Sequence, residues 1–258
     1  MTAKLIDTHA HLNFSPFIND PLPFLDRAQK AGVAAIIVPG VDIPSSEKAI
    51  NLAENHPIVF AAVGIHPEES KTYMPQMRTV LESLCTHEKC VAIGEIGMDF
   101  YREYASEEIQ SRAFYDQVEL AKSLHLPMII HNRKADSYII RILKEVHYFQ
   151  GQCHCFTSHK TFAQECLEYG LLLSFTGLIT FAEEIRNVAL TLPPEKLMIE
   201  TDSPFMAPVP YRGKTNEPAY VLKVAEAYAN LFNLPFDEVA NTTTRNALSL
   251  FSKLTLHE

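Results

Sequence analysis

The chain has 258 residues, 47% of them hydrophobic and 21% charged, with a formal net charge of −9 at pH 7. That length and apolar content support a sizeable core and exclude a disordered chain. The acidic balance excludes a scaffold that coats nucleic acid through general phosphate attraction, but not an enzyme that grips one or two phosphates with metal ions and a few local cations.

In chain order, short β-type runs alternate with longer helical patterns. The strand candidates are residues 5–12 (LIDTHAHL), 34–41 (AAIIVPGV), 58–65 (IVFAAVGI), 91–98 (VAIGEIGM), 127–132 (PMIIHN), 152–157 (QCHCFT), 171–179 (LLLSFTGLI) and 196–202 (KLMIETD). Helical patterns lie between them at 23–32, 106–125, 136–147, 160–170 and 183–192, and Gly32 and Gly170 supply stops just past a last turn. Two closing helices follow the eighth strand, at 218–232 and 236–251. Eight strands, each followed by a helix, predict an α/β fold of the (β/α)8 TIM-barrel type with extra C-terminal helices. No G-x-G-x-x-G turn follows the first strand to favour an open doubly wound sheet. No linker, low-complexity tract or repeat divides the chain, so a single domain over 1–258 is expected.

In such a barrel, chemistry collects at the C-terminal ends of the strands. His9 and His11 end the first strand, His66 the third, Glu95 the fourth, His131 the fifth and Asp202 the eighth, while His154 lies in the sixth. Alternation along a strand puts Leu5, Asp7, His9 and His11 on one face, and Ile93 with Glu95 on another, continued by Gly97 and Asp99. Glu200 shares a face with Asp202, one layer deeper. Four histidines and two carboxylates exceed the needs of one tetrahedral ion, whereas two ions sharing a bridging carboxylate would use all six. The expected arrangement is His9, His11 and Asp202 on one ion, His131 and His154 on the other, and Glu95 between them. Glu95 and Asp202 are the catalytic candidates; Asp202 is either a ligand, the acceptor of the attacking water's proton, or both. Buried Asp7 and Glu200 are expected to orient imidazoles or a water.

Other reactive residue types read as ordinary. Alternation turns Cys153 and Cys155 away from His154, and with Cys85, Cys90 and Cys166 they read as buried small apolar groups. An odd number of cysteines without a C-x-x-C pair suits reduced thiols. His56, His87, His125, His147 and His257 fall on helices or at their ends and read as solvated. Glu107, Glu108, Glu183 and Glu184 are first-turn acids. No apolar run reaches the roughly 18 residues of a membrane span, and no basic-then-apolar leader opens the chain. A cytoplasmic protein without membrane contact is expected.

The ordered motifs D-T-H-A-H at 7–11, G-I-H-P at 64–67, G-E-I-G-M-D at 94–99, H-N-R at 131–133, H-C-F at 154–156, E-T-D-S-P at 200–204 and R-G-K-x-N-E-P at 212–218 span nearly the whole chain. The series resembles the TatD-like metal-dependent deoxyribonucleases, and within them the YjjV-like branch, of the amidohydrolase-type barrel superfamily. The resemblance implies a monomeric phosphodiesterase acting on DNA or another phosphodiester, from the 3′ ends of single strands, with two divalent ions such as zinc, magnesium or manganese. It carries the metal-ligand role to His9, His11, Glu95, His131, His154 and Asp202, and a place near the substrate phosphate to His66 and Arg133. A planar guanidinium suits phosphate oxygens. Arg102, Lys134, His159, Arg212 and Lys214 are lesser candidates of the same kind. Thr157 and Ser158 stand where the family commonly has Ser-Gly, so the loop after the sixth strand is expected to be shaped differently. The alternative on the same site is hydrolysis of an amide, lactone or phosphotriester. A non-enzymatic zinc protein is disfavoured, because structural zinc sites are closed and four-coordinate.

Overall fold

Eight parallel strands pair in chain order around the computed structural model, which describes residues 4–102 and 105–256. The strands are β1 (Leu5–Asp7), β2 (Val33–Pro39), β3 (Val59–Val63), β4 (Cys90–Asp99), β5 (Met128–Arg133), β6 (Gly151–Cys153), β7 (Leu172–Phe175) and β8 (Leu197–Ile199). Seven crossover helices alternate with them: α1 (Leu22–Lys30), α2 (Ile43–Asn55), α3 (Pro75–Leu84), α4 (Glu107–Leu124), α5 (Asp136–Val146), α6 (Lys160–Glu168) and α7 (Glu183–Ala189). Two more, α8 (Val221–Phe232) and α9 (Phe236–Leu250), close the chain. This is the (β/α)8 barrel that the alternating pattern predicts.

Local chemistry sets the helix ends. Asp42 accepts the Ser45 N–H at 2.7 Å while the Ser45 hydroxyl accepts the Asp42 N–H at 3.0 Å, a reciprocal cap for α2. Gly32 and Gly170 stand just past α1 and α6 with φ of +88° and +92°, a conformation other residues adopt only with strain. His125 and His147 end α4 and α5, also in the left-handed region. His56 ends α2, and His87 lies 3.4 Å from Glu54. His257 lies outside the described residues. Four of the cysteines are buried, while Cys155, which has a φ of 42°, is only partly so.

Several strands are shorter than the apolar runs predict. β1 stops at Asp7, β6 at Cys153 and β8 at Ile199. Beyond these points side chains join backbone bonds in tying the segments together. The Thr201 N–H donates to Asp7 Oδ1 at 2.9 Å, and the Cys155 N–H donates to Glu200 Oε1. The seam between the first and last strands is likewise closed by the segments that carry the site, with His11 N–H on Ser203 O and Asp202 N–H on His9 O, both at 2.8 Å.

The opposite end of the barrel is apolar. Ile6, Ile37, Phe60, Ile129 and Met198 meet Leu250 and Phe251 in one buried cluster. Thr244 donates to Lys4 O and Asn246 to Leu197 O, each at 2.8 Å, which seats α9 across the N-terminal ends of β1 and β8. The C-terminal end is thereby left as the open, polar rim. Among the described residues no helix is long and apolar enough to cross a membrane.

Candidate metal centre

Glu95 sits inside β4, 3% exposed, and its two oxygens face different partners. Oε1 lies 2.8 Å from His154 Nε2, 2.9 Å from His131 Nδ1 and 3.4 Å from His66 Nε2. Oε2 lies 3.3 Å from His9 Nε2 and 3.7 Å from His11 Nε2. Asp202 Oδ1 stands 3.8 Å and 3.6 Å from those same two nitrogens, which are 3.2 Å from each other. The His9 ring stacks on that of His154 with centroids 3.9 Å apart. The residues expected from the strand ends, His9, His11, Glu95, His131, His154 and Asp202, therefore occupy one cluster. Their donor atoms fall into overlapping sets able to hold an ion: His9, His154 and Asp202; His9, His11 and Glu95; and His66, Glu95 and His131.

The alternation that located these residues does not itself hold through the site. Leu5 packs in the helix-facing core although His9 and His11, of the same parity, turn to the centre, and the register shifts after Leu5. A second shift, between Ile93 and Ile96, lets Glu95 turn to the centre although Ile93 packs outward. Bulges of this kind re-aim side chains near functional sites.

Electrostatics bind the cluster together. Burial opposes the charge on Glu95, yet the imidazoles of His154, His66 and His9 hold its carboxyl well below the usual carboxylate range. Burial likewise opposes a charge on His154, but Glu95 and Glu200 raise it well above the ordinary imidazole value. Burial lowers His9, His11 and His66. Asp202 is pushed up to about 8 by burial, against the pull of His154 and with a further push from Glu95. Buried carboxylates this close are costly without positive charge among them. Converging imidazole nitrogens and carboxylate oxygens are the donors that divalent transition ions take, so the residues present fit such an ion.

Beneath the cluster, Glu200 is fully buried. Its Oε2 accepts from Ser174 at 2.6 Å and Gln152 at 2.7 Å, and its Oε1 lies 3.5 Å from His154 Nδ1, an ion-pair distance. Glu200 thus backs an imidazole. Asp7 does not. It accepts the His9 N–H at 3.3 Å and the Thr201 hydroxyl at 2.6 Å, so it ties backbone segments together and touches no ring. The chain leaves β1 at Asp7, before the face that carries the histidines begins.

Asp99 is the residue that sequence reasoning passed over. Its Oδ2 lies 3.2 Å from His131 Nε2, and its Oδ1 accepts the N–H groups of Tyr101 and Arg102 at 2.8 and 3.1 Å. Those bonds and the His131 imidazole overcome burial and hold it down at about 2. The signal was present, since Asp99 continues the alternation from Glu95. Gln152 and Ser174 were legible in the same way, two positions before His154 and inside the seventh strand. An acid behind an imidazole ligand fixes its tautomer and orientation, so Asp99→Asn is expected to weaken metal affinity about 10–100-fold in competition with a chelator. Unchanged affinity would leave Asp99 with only a loop-forming role.

His66 also lies in the cluster. Its Nδ1 accepts the Glu68 N–H at 3.1 Å, which turns Nε2 to Glu95. Arg133 stands apart, its guanidinium over the Tyr101 ring at 4.0 Å. Lys134 Nζ is 4.9 Å from the same ring, and Arg212 lies over Phe181 at 3.7 Å. Lys214 is exposed. His159 caps α6 by accepting the Phe162 N–H and lies 3.2 Å from Asp136. Ser158 donates to Asp136, which also accepts from Asn132 at 2.6 Å. The loop with the unusual Thr157 and Ser158 is thus pinned to the start of α5.

A family model described as TatD related DNase matches residues 6–252. The chain is 41% identical over 251 residues to a Bacillus subtilis protein named uncharacterized metal-dependent hydrolase YabD, covering 96% of this chain and 98% of the relative. It is 32% identical over 258 residues to a Citrobacter rodentium protein named 3'-5' ssDNA/RNA exonuclease TatD, covering 96% and 97% respectively. Among solved structures, the TatD homologue YJJV of Escherichia coli K12 superposes with a TM-score of 0.92 at 32% identity, covering 98% of this chain and 99% of its own. The fold, the donor cluster and these relatives together place the chain in the TatD family of metal-dependent hydrolases.

Proposed function

We propose that the protein hydrolyses phosphodiester bonds as a deoxyribonuclease, removing nucleotides from the 3′ ends of single strands with two divalent ions. The observation that carries the dinuclear reading is the division of Glu95. One oxygen faces His131 and His154, and the other faces His9 and His11, as a carboxylate shared by two ions would. His9, His11 and Asp202 would hold one ion, and His131 and His154 the other. Zinc, manganese and magnesium are the candidates. Such a pair, when bound, activates a water and stabilises the charged oxygens of a displacement at phosphorus. The chain's own residues keep the site in shape around it. Glu200 would back His154, Asp99 would orient His131, and Asp202 would take a proton from a water at the rim.

A nucleic-acid substrate is supported by the name of the Citrobacter relative, a ssDNA/RNA exonuclease, and by Arg133 and Lys134, two and three residues past His131. The test is metal-reconstituted protein on end-labelled single-stranded DNA, run beside a panel of carboxylic esters, amides, lactones and phosphotriesters. Turnover of the panel without DNA cleavage would overturn the nuclease reading. Arg133→Ala is expected to lower kcat/KM on phosphate substrates about 10–150-fold, the worth of a hydrogen bond to a charged group, and far less on lactones or amides. Equal losses on all substrates would mark Arg133 as structural.

A further inference from the structure

The metal centre does not account for the groove beside it. Tyr101 stands two residues past Asp99 with 53% of its surface exposed. Arg133 and Lys134, two and three residues past His131, gather at its ring. These three side chains border a cavity of about 550 Å³, with Ser158 and His159 from the loop after β6 also at its edge. That volume lies within the range of ligand sites. Two acids border it as well. Asp136 is engaged by Asn132, Ser158 and His159, while Glu184 is exposed in the first turn of α7. In a chain of net charge −9, paired cations over an exposed ring make a local site for a group both flat and anionic.

We propose that this groove seats one nucleotide of the strand next to the scissile phosphate, with Tyr101 as the base-stacking residue and Arg133 and Lys134 on the adjoining phosphate. The inference rests on the nuclease reading above and deepens it. An unpaired base offers its π-face to a ring, whereas a duplex keeps that face stacked, so such a platform selects single strands. Position is set through one carboxylate: Asp99 bonds the His131 ring with one oxygen and accepts the Tyr101 N–H with the other. The platform is thereby fixed relative to the centre. The Arg133 guanidinium carbon lies 4.0 Å from the ring centroid, which brings a fork of N–H donors for phosphate beside the platform.

The test compares wild type, Tyr101→Phe and Tyr101→Leu, each metal-loaded, on an eight-nucleotide thymidine strand and on an abasic strand of equal length. Tyr101→Leu is expected to raise KM on the base-bearing strand by about 5–150-fold more than on the abasic strand, with Tyr101→Phe restoring it. A phosphorothioate octamer carrying 2-aminopurine near its end gives a second readout without turnover. Its emission should fall on binding wild type or Tyr101→Phe and stay high with Tyr101→Leu. Equal KM changes on both strands, or equal quenching by all three proteins, would overturn the groove assignment while leaving the nuclease reading intact. Wild-type protein that hydrolyses esters or lactones but no DNA would overturn the nuclease reading and the groove with it.

Discussion

Glu95→Gln should lower turnover by at least about 10³-fold, equivalent to about 4 kcal/mol of transition-state stabilisation, and reduce bound metal below that of wild type while the fold persists. The substitution keeps the shape of the side chain and removes its charge. In the native site the two oxygens face different imidazoles, one His131 and His154 and the other His9 and His11. A glutamine can present an oxygen to only one group and must turn an NH₂ toward the other, where imidazole lone pairs converge. A bridging role is therefore lost from one side whichever way the amide turns. Metal content by elemental analysis and kinetics across a metal titration give the two readouts. Chelation should lower the Tm of wild type more than that of Glu95→Gln, because only a ligand bound to the native state stabilises it. Full activity in Glu95→Gln would sink the dinuclear proposal.

The second large effect is on stability. Glu200→Ala is expected to cost about 3–5 kcal/mol, the range for breaking a buried charged network by removing one partner. The carboxylate is fully buried and receives Ser174, Gln152 and the Cys155 N–H, with His154 nearby. Truncation would leave the Gln152 amide and the Cys155 N–H without their carboxylate partner in the barrel interior, where water cannot readily replace it. Glu200→Gln should cost less, since an amide oxygen still accepts, but should weaken metal binding because His154 loses its counter-charge. Urea denaturation of the metal-free proteins isolates the stability term from metal linkage. A loss under about 1 kcal/mol for Glu200→Ala would show that the network carries little of the fold's stability.

Much of this was legible one residue at a time. The β-type runs alternate with amphipathic helices, and that periodicity is a local property of the chain that specifies a parallel barrel. The candidate ligands were legible because polar, metal-capable residues at the ends of otherwise apolar strands have no packing explanation. Alternation also marked Glu200 as lying beneath Asp202.

Where it failed, the chain had left regular structure. Asp7 shares the parity of His9 but bonds backbone, because β1 ends there and the next residues reach across to Ser203 and Asp202. Ile93 shares the parity of Glu95 but packs outward across a register shift.

The sequence alone therefore determined the barrel, the rim at which polar residues gather, and the residue types available there. Only the tertiary structure decided which oxygen of Glu95 faces which imidazoles, that Asp99 stands behind His131, and that Tyr101 carries Arg133 outside the centre. The reason is physical: periodicity reports which face of a strand is buried, whereas a site is made by side chains from several strands meeting past the ends of the ladder, where distance in space no longer follows from spacing along the chain.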